Sequence, residues 1–175
     1  RESKQKAAPT NTSFLANNKY QFVIDRLPNF TFFVQGINMP SLTMNPVQTN
    51  TPYTQLYQPA NQLTYEQLQV TYVIDEDMQS WFEIYNWMTN LGNPTSLDKL
   101  GILTTVAGKE NSVVSDASLL IKTNSNNDNI NVQFYDIFPM ELTGFQMSSA
   151  EGQDFQTTSV TFAYTYFTAT KLTTP

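Results

Sequence analysis

At 175 residues the chain is sized for one domain with a substantial core, and no run of about eighteen apolar residues suits a membrane span. It contains neither cysteine nor histidine, which excludes disulfides, thiolate metal sites and cysteine nucleophiles and removes the commonest general base. Charge is uneven: residues 1–19 carry a net three positive charges and residues 20–175 a net nine negative, so the body should repel a phosphate backbone.

Residues 1–18 have no apolar period and read as a flexible, basic N-terminal arm, with Phe14 and Leu15 as candidate anchors. The chain opens on Arg1 with no secretory signal pattern, which leaves an upstream start open. A basic arm on an acidic body could dock on a neighbouring subunit. Residues 19–175 read as a single domain.

Lys19–Arg26 alternates Tyr20, Phe22 and Ile24 against polar neighbours, which predicts a strand. A turn at Leu27-Pro28-Asn29 and a second strand, Phe30–Ile37, complete a predicted hairpin. Residues 40–63 hold four prolines, no charge and no glycine. Proline keeps such a stretch out of a central sheet, and a loop this long is seldom without a role. Pro46, Pro52, Tyr53, Leu56 and Tyr57 mark it as an extended arm or open hairpin that meets a partner.

Thr64–Ile74 is a predicted strand with Leu68, Val70, Tyr72 and Ile74 on one face. It feeds the one well-marked helix, about residues 76–91. Asp75, Glu76 and Asp77 suit a helix N-terminus, and Gly92 and Pro94 suit its end. The spacing places Met78, Trp81, Phe82, Tyr85 and Met88 on one face, read as the core face, with Ile84, Trp87 and Leu91 as a second flank. Residues 95–114 show no clean period.

Asp116–Thr123 and Asn129–Phe138 flank a polar turn and predict a hairpin. Pro139 should end the strand, with a short strand following over 140–147. Asp154–Thr170 reads as the longest strand. Val160, Phe162, Tyr164 and Tyr166 form its core face, and Ser159, Thr161, Ala163 and Thr165 form a small, uncharged outer face suited to contact with another sheet or subunit.

No catalytic constellation emerges. Asp75, Glu76 and Asp77 could hold a divalent cation, but helix-start electrostatics accounts for them better. The glycines are scattered singly, so no phosphate loop exists, and no two acids are paired by spacing. The expectation is no enzyme, no cofactor, no catalytic residue and no metal.

The order of elements resembles the tail tube proteins of contractile-tailed bacteriophages. It runs YQFVIDRLPNFTFFVQGINMP, a long partner-facing segment, QLQVTYVIDED leading into the helix WFEIYNWM, and a final TTSVTFAYTYF strand. Tube-initiator and baseplate-tube proteins share this fold, as does the tube protein of type VI secretion systems. The resemblance covers about residues 19–170, and its closest part is residues 68–94. The basic arm lies outside the minimal pattern and leaves main tube subunit, initiator ring and adaptor ring open.

The resemblance implies a mainly β fold, a two-sheet β-sandwich or barrel with one flanking helix and the long loop. It implies sixfold rings that stack through residues 40–63 into a virion tail tube assembled in the host cytoplasm. Sheath and baseplate or neck proteins would be partners, and DNA would pass through a neutral or acidic lumen without specific binding. Which residues face the lumen is not read from alternation alone. The alternative of another class is a carbohydrate-binding β-sandwich module of a phage fibre, with Tyr135 beside Asp136 as its site.

Overall fold

The computed structural model describes residues 12–59, 61–92, 113–148 and 155–172. The expected features at residues 1–11, at Pro94, over most of 95–114 and at the turn after Ser148 lie outside these.

Among the described residues eleven strands and two helices follow in order: β1 (Tyr20–Ile24), α1 (Pro28–Phe32), β2 (Val34–Asn38), β3 (Leu42–Met44), β4 (Val47–Asn50), β5 (Gln55–Gln58), β6 (Leu63–Tyr65), β7 (Leu68–Val73), α2 (Gln79–Leu91), β8 (Ser115–Lys122), β9 (Asp128–Leu142), β10 (Thr157–Ala163) and β11 (Tyr166–Lys171). Two antiparallel layers share β9. Its first part pairs with β8 and β11, and its last part with β10. One layer is therefore β1-β8-β9-β11 and the other β9-β10-β7-β2. Among the described residues β1 and β2 do not pair with each other, so the fold is a sandwich open along that seam rather than a closed barrel.

The core lies between the layers. Phe22, Ile24, Leu68, Val70, Tyr72, Leu119, Val132, Phe134, Val160 and Phe162 are all buried, and each comes from the alternating face of its strand. Phe30 meets Tyr72 edge to face at 4.8 Å between ring centroids.

Three expectations change. The first hairpin does not form: residues 28–32 are a short helix, and β1 and β2 pair with β8 and β7 instead. Pro28 suits the first helical turn, and Glu83 on α2 satisfies that turn's amides, accepting from Phe30 N at 3.0 Å and from the Asn29 side-chain amide at 2.8 Å. The strand at Pro139 is not broken. It runs on to Leu142, because on that side β9 is the rim of its layer and proline lacks only an amide that a rim strand does not use. Asp136, at φ 56°, makes the corner between layers, with its N–H donating to Asp116 Oδ1 and its Oδ2 accepting from Thr165 Oγ1.

The long final strand is two. It breaks at Tyr164-Thr165, and β11 joins the other layer. The break shifts the alternation, so Tyr166 is exposed and Phe167 turns toward the core.

Candidate assembly surface

The uncharged stretch after β2 forms a two-part ribbon. Nearest the body β3 pairs with β6, and beyond them β4 pairs with β5. Two strands have no third layer to cover either face. Leu42, Met44, Val47, Leu56, Tyr57 and Leu63 are exposed, and Tyr53 at the tip is 98% exposed. Contiguous apolar exposure of this kind is uncommon on the surface of a monomeric domain. Pro46 and Pro52 lie on the same exposed ribbon. The structure thus places all five expected contact residues on one projecting element.

The ribbon's root is tied to the body. Ser41 donates to Glu66 Oε2 through its hydroxyl at 2.6 Å and its amide at 3.3 Å, and Glu66 N returns a bond to Ser41 O at 3.1 Å. The Ser41 hydroxyl and amide hold the Glu66 carboxyl below its ordinary range. The Tyr164 hydroxyl donates to the Glu66 carbonyl at 2.6 Å, and Tyr65 packs edge-on against Tyr164 and Phe167. Burial pushes the Tyr164 phenol up to about 12, with Tyr65 and Glu66 adding to the shift. It therefore remains a donor at neutral pH. This root was not expected from sequence; its one signal was the isolated acid at position 66 after a long uncharged stretch.

Helix α2 is anchored at its start by Asp75. Its carboxylate accepts from Gln79 N and Ser80 N, each at 2.9 Å, and from Ser80 Oγ at 2.6 Å. Burial acts to raise this carboxyl, but the bonds from Ser80 and Gln79 outweigh it and hold it below the usual range. The acid thus serves as the helix-start anchor expected for it. Among the described residues no cluster of three or more potential metal ligands occurs.

The core face of α2 is the other flank from the one expected. Ser80, Ile84 and Trp87 are buried, whereas Phe82 is 47% and Tyr85 43% exposed. Trp81 is half-buried and stacks on Tyr85 at 5.0 Å, and Met78 sits in the left-handed turn before the helix. Of the five expected core residues only Met88 packs against the buried cluster. The Asp75 and Glu83 bonds set the rotation of the helix, and Trp87 locks it. The Trp87 indole donates to Val113 O at 3.2 Å, and the Arg26 guanidinium lies 4.9 Å over its ring.

The outer faces of the two layers differ. That of β7 and β10 presents Gln69, Thr71, Ser159 and Thr161, with Glu141 on the neighbouring part of β9 and no basic residue on β2, β7 or β10. The β8-β9-β11 layer carries Asp116, Lys122, Asp128 and Lys171. Tyr135 stacks on Tyr166 at 4.6 Å, and Asp136 is held at the corner by its bond from Thr165, which places the residues of the alternative sugar site side by side. Phe14 and Leu15 are exposed and do not anchor the arm by their side chains; a bond from Asn124 Nδ2 to the Phe14 carbonyl holds it.

The chain matches the phage tail tube protein family over residues 4–170. The comparison with curated proteins finds no match. Among solved structures the chain is similar to the tube-terminating cap of the anti-feeding prophage, with a TM-score of 0.64 at 7% identity, covering 97% of this chain and 100% of that one. It is also similar to a chain of the sheath–tube complex of an extracellular contractile injection system, PVC, in the extended state, with a TM-score of 0.60 at 8% identity and coverage of 92% and 94%. A third similar chain comes from the anti-feeding prophage baseplate, with a TM-score of 0.54 at 10% identity and coverage of 91% and 97%. At these identities the likeness is one of fold, whereas the family match spans nearly the whole sequence: the chain belongs to the phage tail tube protein family.

Proposed function

We propose that this chain is a non-catalytic, ring-forming subunit whose sixfold rings stack through the ribbon into a tail tube that conducts DNA. The observation that carries this reading is the ribbon, an uncharged apolar projection tied at its root by the Ser41–Glu66 and Tyr164–Glu66 bonds and not covered by the described residues. Interface energy concentrates in aromatic anchors of the kind Tyr53 and Tyr57 provide, with Leu56 between β-strand neighbours and Pro46 and Pro52 limiting the ribbon's freedom. Copies of the chain are the first partners. Sheath and baseplate or neck proteins are the next, in keeping with the tube, cap and baseplate chains that share the fold. The same surface serves a main tube ring, an initiator ring or an adaptor ring. Assembly takes place in the host cytoplasm before the virion is complete.

The outer face of β7 and β10 is the surface best suited to the lumen. DNA binds where basic side chains release its counterions, and this face has Gln, Thr and Ser with one acid, Glu141. Repeated around a ring, such a wall neither holds duplex DNA nor needs to be pushed clear of it.

The test is electron microscopy with size exclusion of the full chain and of Tyr53→Ala/Tyr57→Ala. The expected result is rings or tubes for the parent and loss of stacking, with an unchanged melting temperature, for the double variant. A double variant that polymerises at the parent's concentration would show that the ribbon is not the contact.

A further inference from the structure

The sandwich is open between β1 and β2, and each borders the gap with one unused edge. Among the described residues β1 pairs only with β8, and β2 only with β7. Alternation fixes which groups face the gap. Lys19 O accepts from Lys122 N, and Ile24 spends its amide on Thr31 Oγ1 and its carbonyl on Leu27 N. The intervening alternation turns the backbone of Tyr20 and Phe22 toward β2. What crosses the gap there is a side chain: the Tyr20 hydroxyl donates to the Gln35 carbonyl at 2.5 Å. Paired strands stand about 4.8 Å apart, and a reach as long as tyrosine means that the two edges are too far apart to pair directly.

The gap is a groove of about 780 Å³, lined by Asn17, Gln21, Thr31, Phe32, Val34 and Gln35 among others, without a charged residue. Phe32 at its rim is 83% exposed. A groove between two open strand edges is the geometry that accepts an extended segment by β-augmentation.

We propose that this groove receives the N-terminal arm of a second copy, with Phe14 and Leu15 as the apolar anchors and the basic residues beyond them lying on the acidic body. Phe14 is 91% exposed and Leu15 is exposed beside it, so neither is covered by the described residues. The chain's own arm is drawn away from its groove: after the turn at Asn17-Asn18 it passes over the β8–β9 turn, where Asn124 Nδ2 donates to the Phe14 carbonyl. Arg1, Lys4 and Lys6 precede the anchors, and residues 20–175 carry nine net negative charges, so the charges of arm and recipient are complementary. Threonine, asparagine and serine over positions 10–13 suit an uncharged groove lined by amides and hydroxyls. Entry exchanges the Tyr20–Gln35 bond for backbone pairing along Tyr20, Phe22 and Gln35. The inference rests on the chain meeting copies of itself but not on ring symmetry or stacking.

The lack of native cysteine makes the test direct. Two full-length variants, Thr12→Cys, which leaves the Phe14 and Leu15 anchors in place, and Gln35→Cys, the second with a mass tag, are mixed and mildly oxidised. The expected product is the mixed disulfide, outnumbering either self-linked dimer severalfold, and forming faster when the tagged partner also carries Tyr20→Phe, which removes the bridge across the groove. Both cysteine sites are exposed, and an unchanged melting temperature checks the fold. Absence of the mixed product overturns the proposal, as does a Thr12→Cys/Gln35→Cys double variant that links only within one chain. Micrographs of the same samples separate the two readings. Rings without the cross-link overturn the arm alone, and the cross-link without rings overturns the ring reading.

Discussion

Helix α2 and the ribbon β3–β6 are both rich in aromatic residues, yet one is built into the core and the other is left outside. On α2, Trp81, Phe82, Tyr85 and Trp87 lie within seven positions, and of these Trp87 alone is buried. On the ribbon, Tyr53 and Tyr57 are both exposed. The difference is one of layers rather than apolarity. A helix packed against α1 and β9 buries one stripe, and which stripe depends on how it is tethered; here Asp75 and Glu83 do that. A two-stranded ribbon has two faces and nothing above either. Apolar content therefore says that a surface wants cover, while the architecture decides whether that cover is the chain's own core or another molecule.

Substitutions sharpen the contrast, beginning with the largest expected effect. Trp87→Ala should cost about 3 to 5 kcal/mol in denaturant unfolding, since it empties a buried site and removes the bond to Val113 and the ring beneath Arg26. A cost near that of a surface change would mean that α2 is rotated from the position described. Asp75→Ala should cost about 1 to 2 kcal/mol at neutral pH through loss of the helix-start bonds. Because the folded carboxyl lies below its ordinary value, its contribution is fully present above the unfolded pKa, about 3.9, and is lost as pH falls through the depressed folded value. The stability gap between parent and variant should therefore hold from pH 7 to about 5 and close below about pH 4. A gap that is flat across this range would remove Asp75 from the role.

Phe82→Ala should cost less than about 1 kcal/mol, because nearly half of the residue is already in solvent. Tyr53→Ala/Tyr57→Ala is the smallest of all for stability, with no measurable change in melting, and the largest for assembly. A destabilised double variant would mean that the ribbon packs on its own body.

Much of the fold could be read from residue order. β7, with Leu68, Val70 and Tyr72 inward, and the β8–β9 hairpin appear where alternation puts them, because period two is a local property of an extended chain. The exposed ribbon was legible from four prolines and missing charge. The short helix α1 was not, because the alternation of Phe30 and Phe32 reads as a strand until Glu83, fifty-three residues away, caps the amide of Phe30. The division of β10 from β11 was hidden as well: threonine and aromatic alternation runs unbroken through Tyr164-Thr165, and the corner is made on a different strand, by Asp136.

Sequence alone determined what each stretch could be: a mainly β body, one long helix, an uncharged projection, and a charge asymmetry between arm and body. These follow from local periodicity, proline chemistry and composition, which need no neighbour. Only the tertiary structure decided which side of α2 meets the core, which strands pair, and that the sandwich stays open between β1 and β2. Each of those depends on hydrogen bonds and packing between residues far apart in the chain, and a pattern of neighbours carries no record of them.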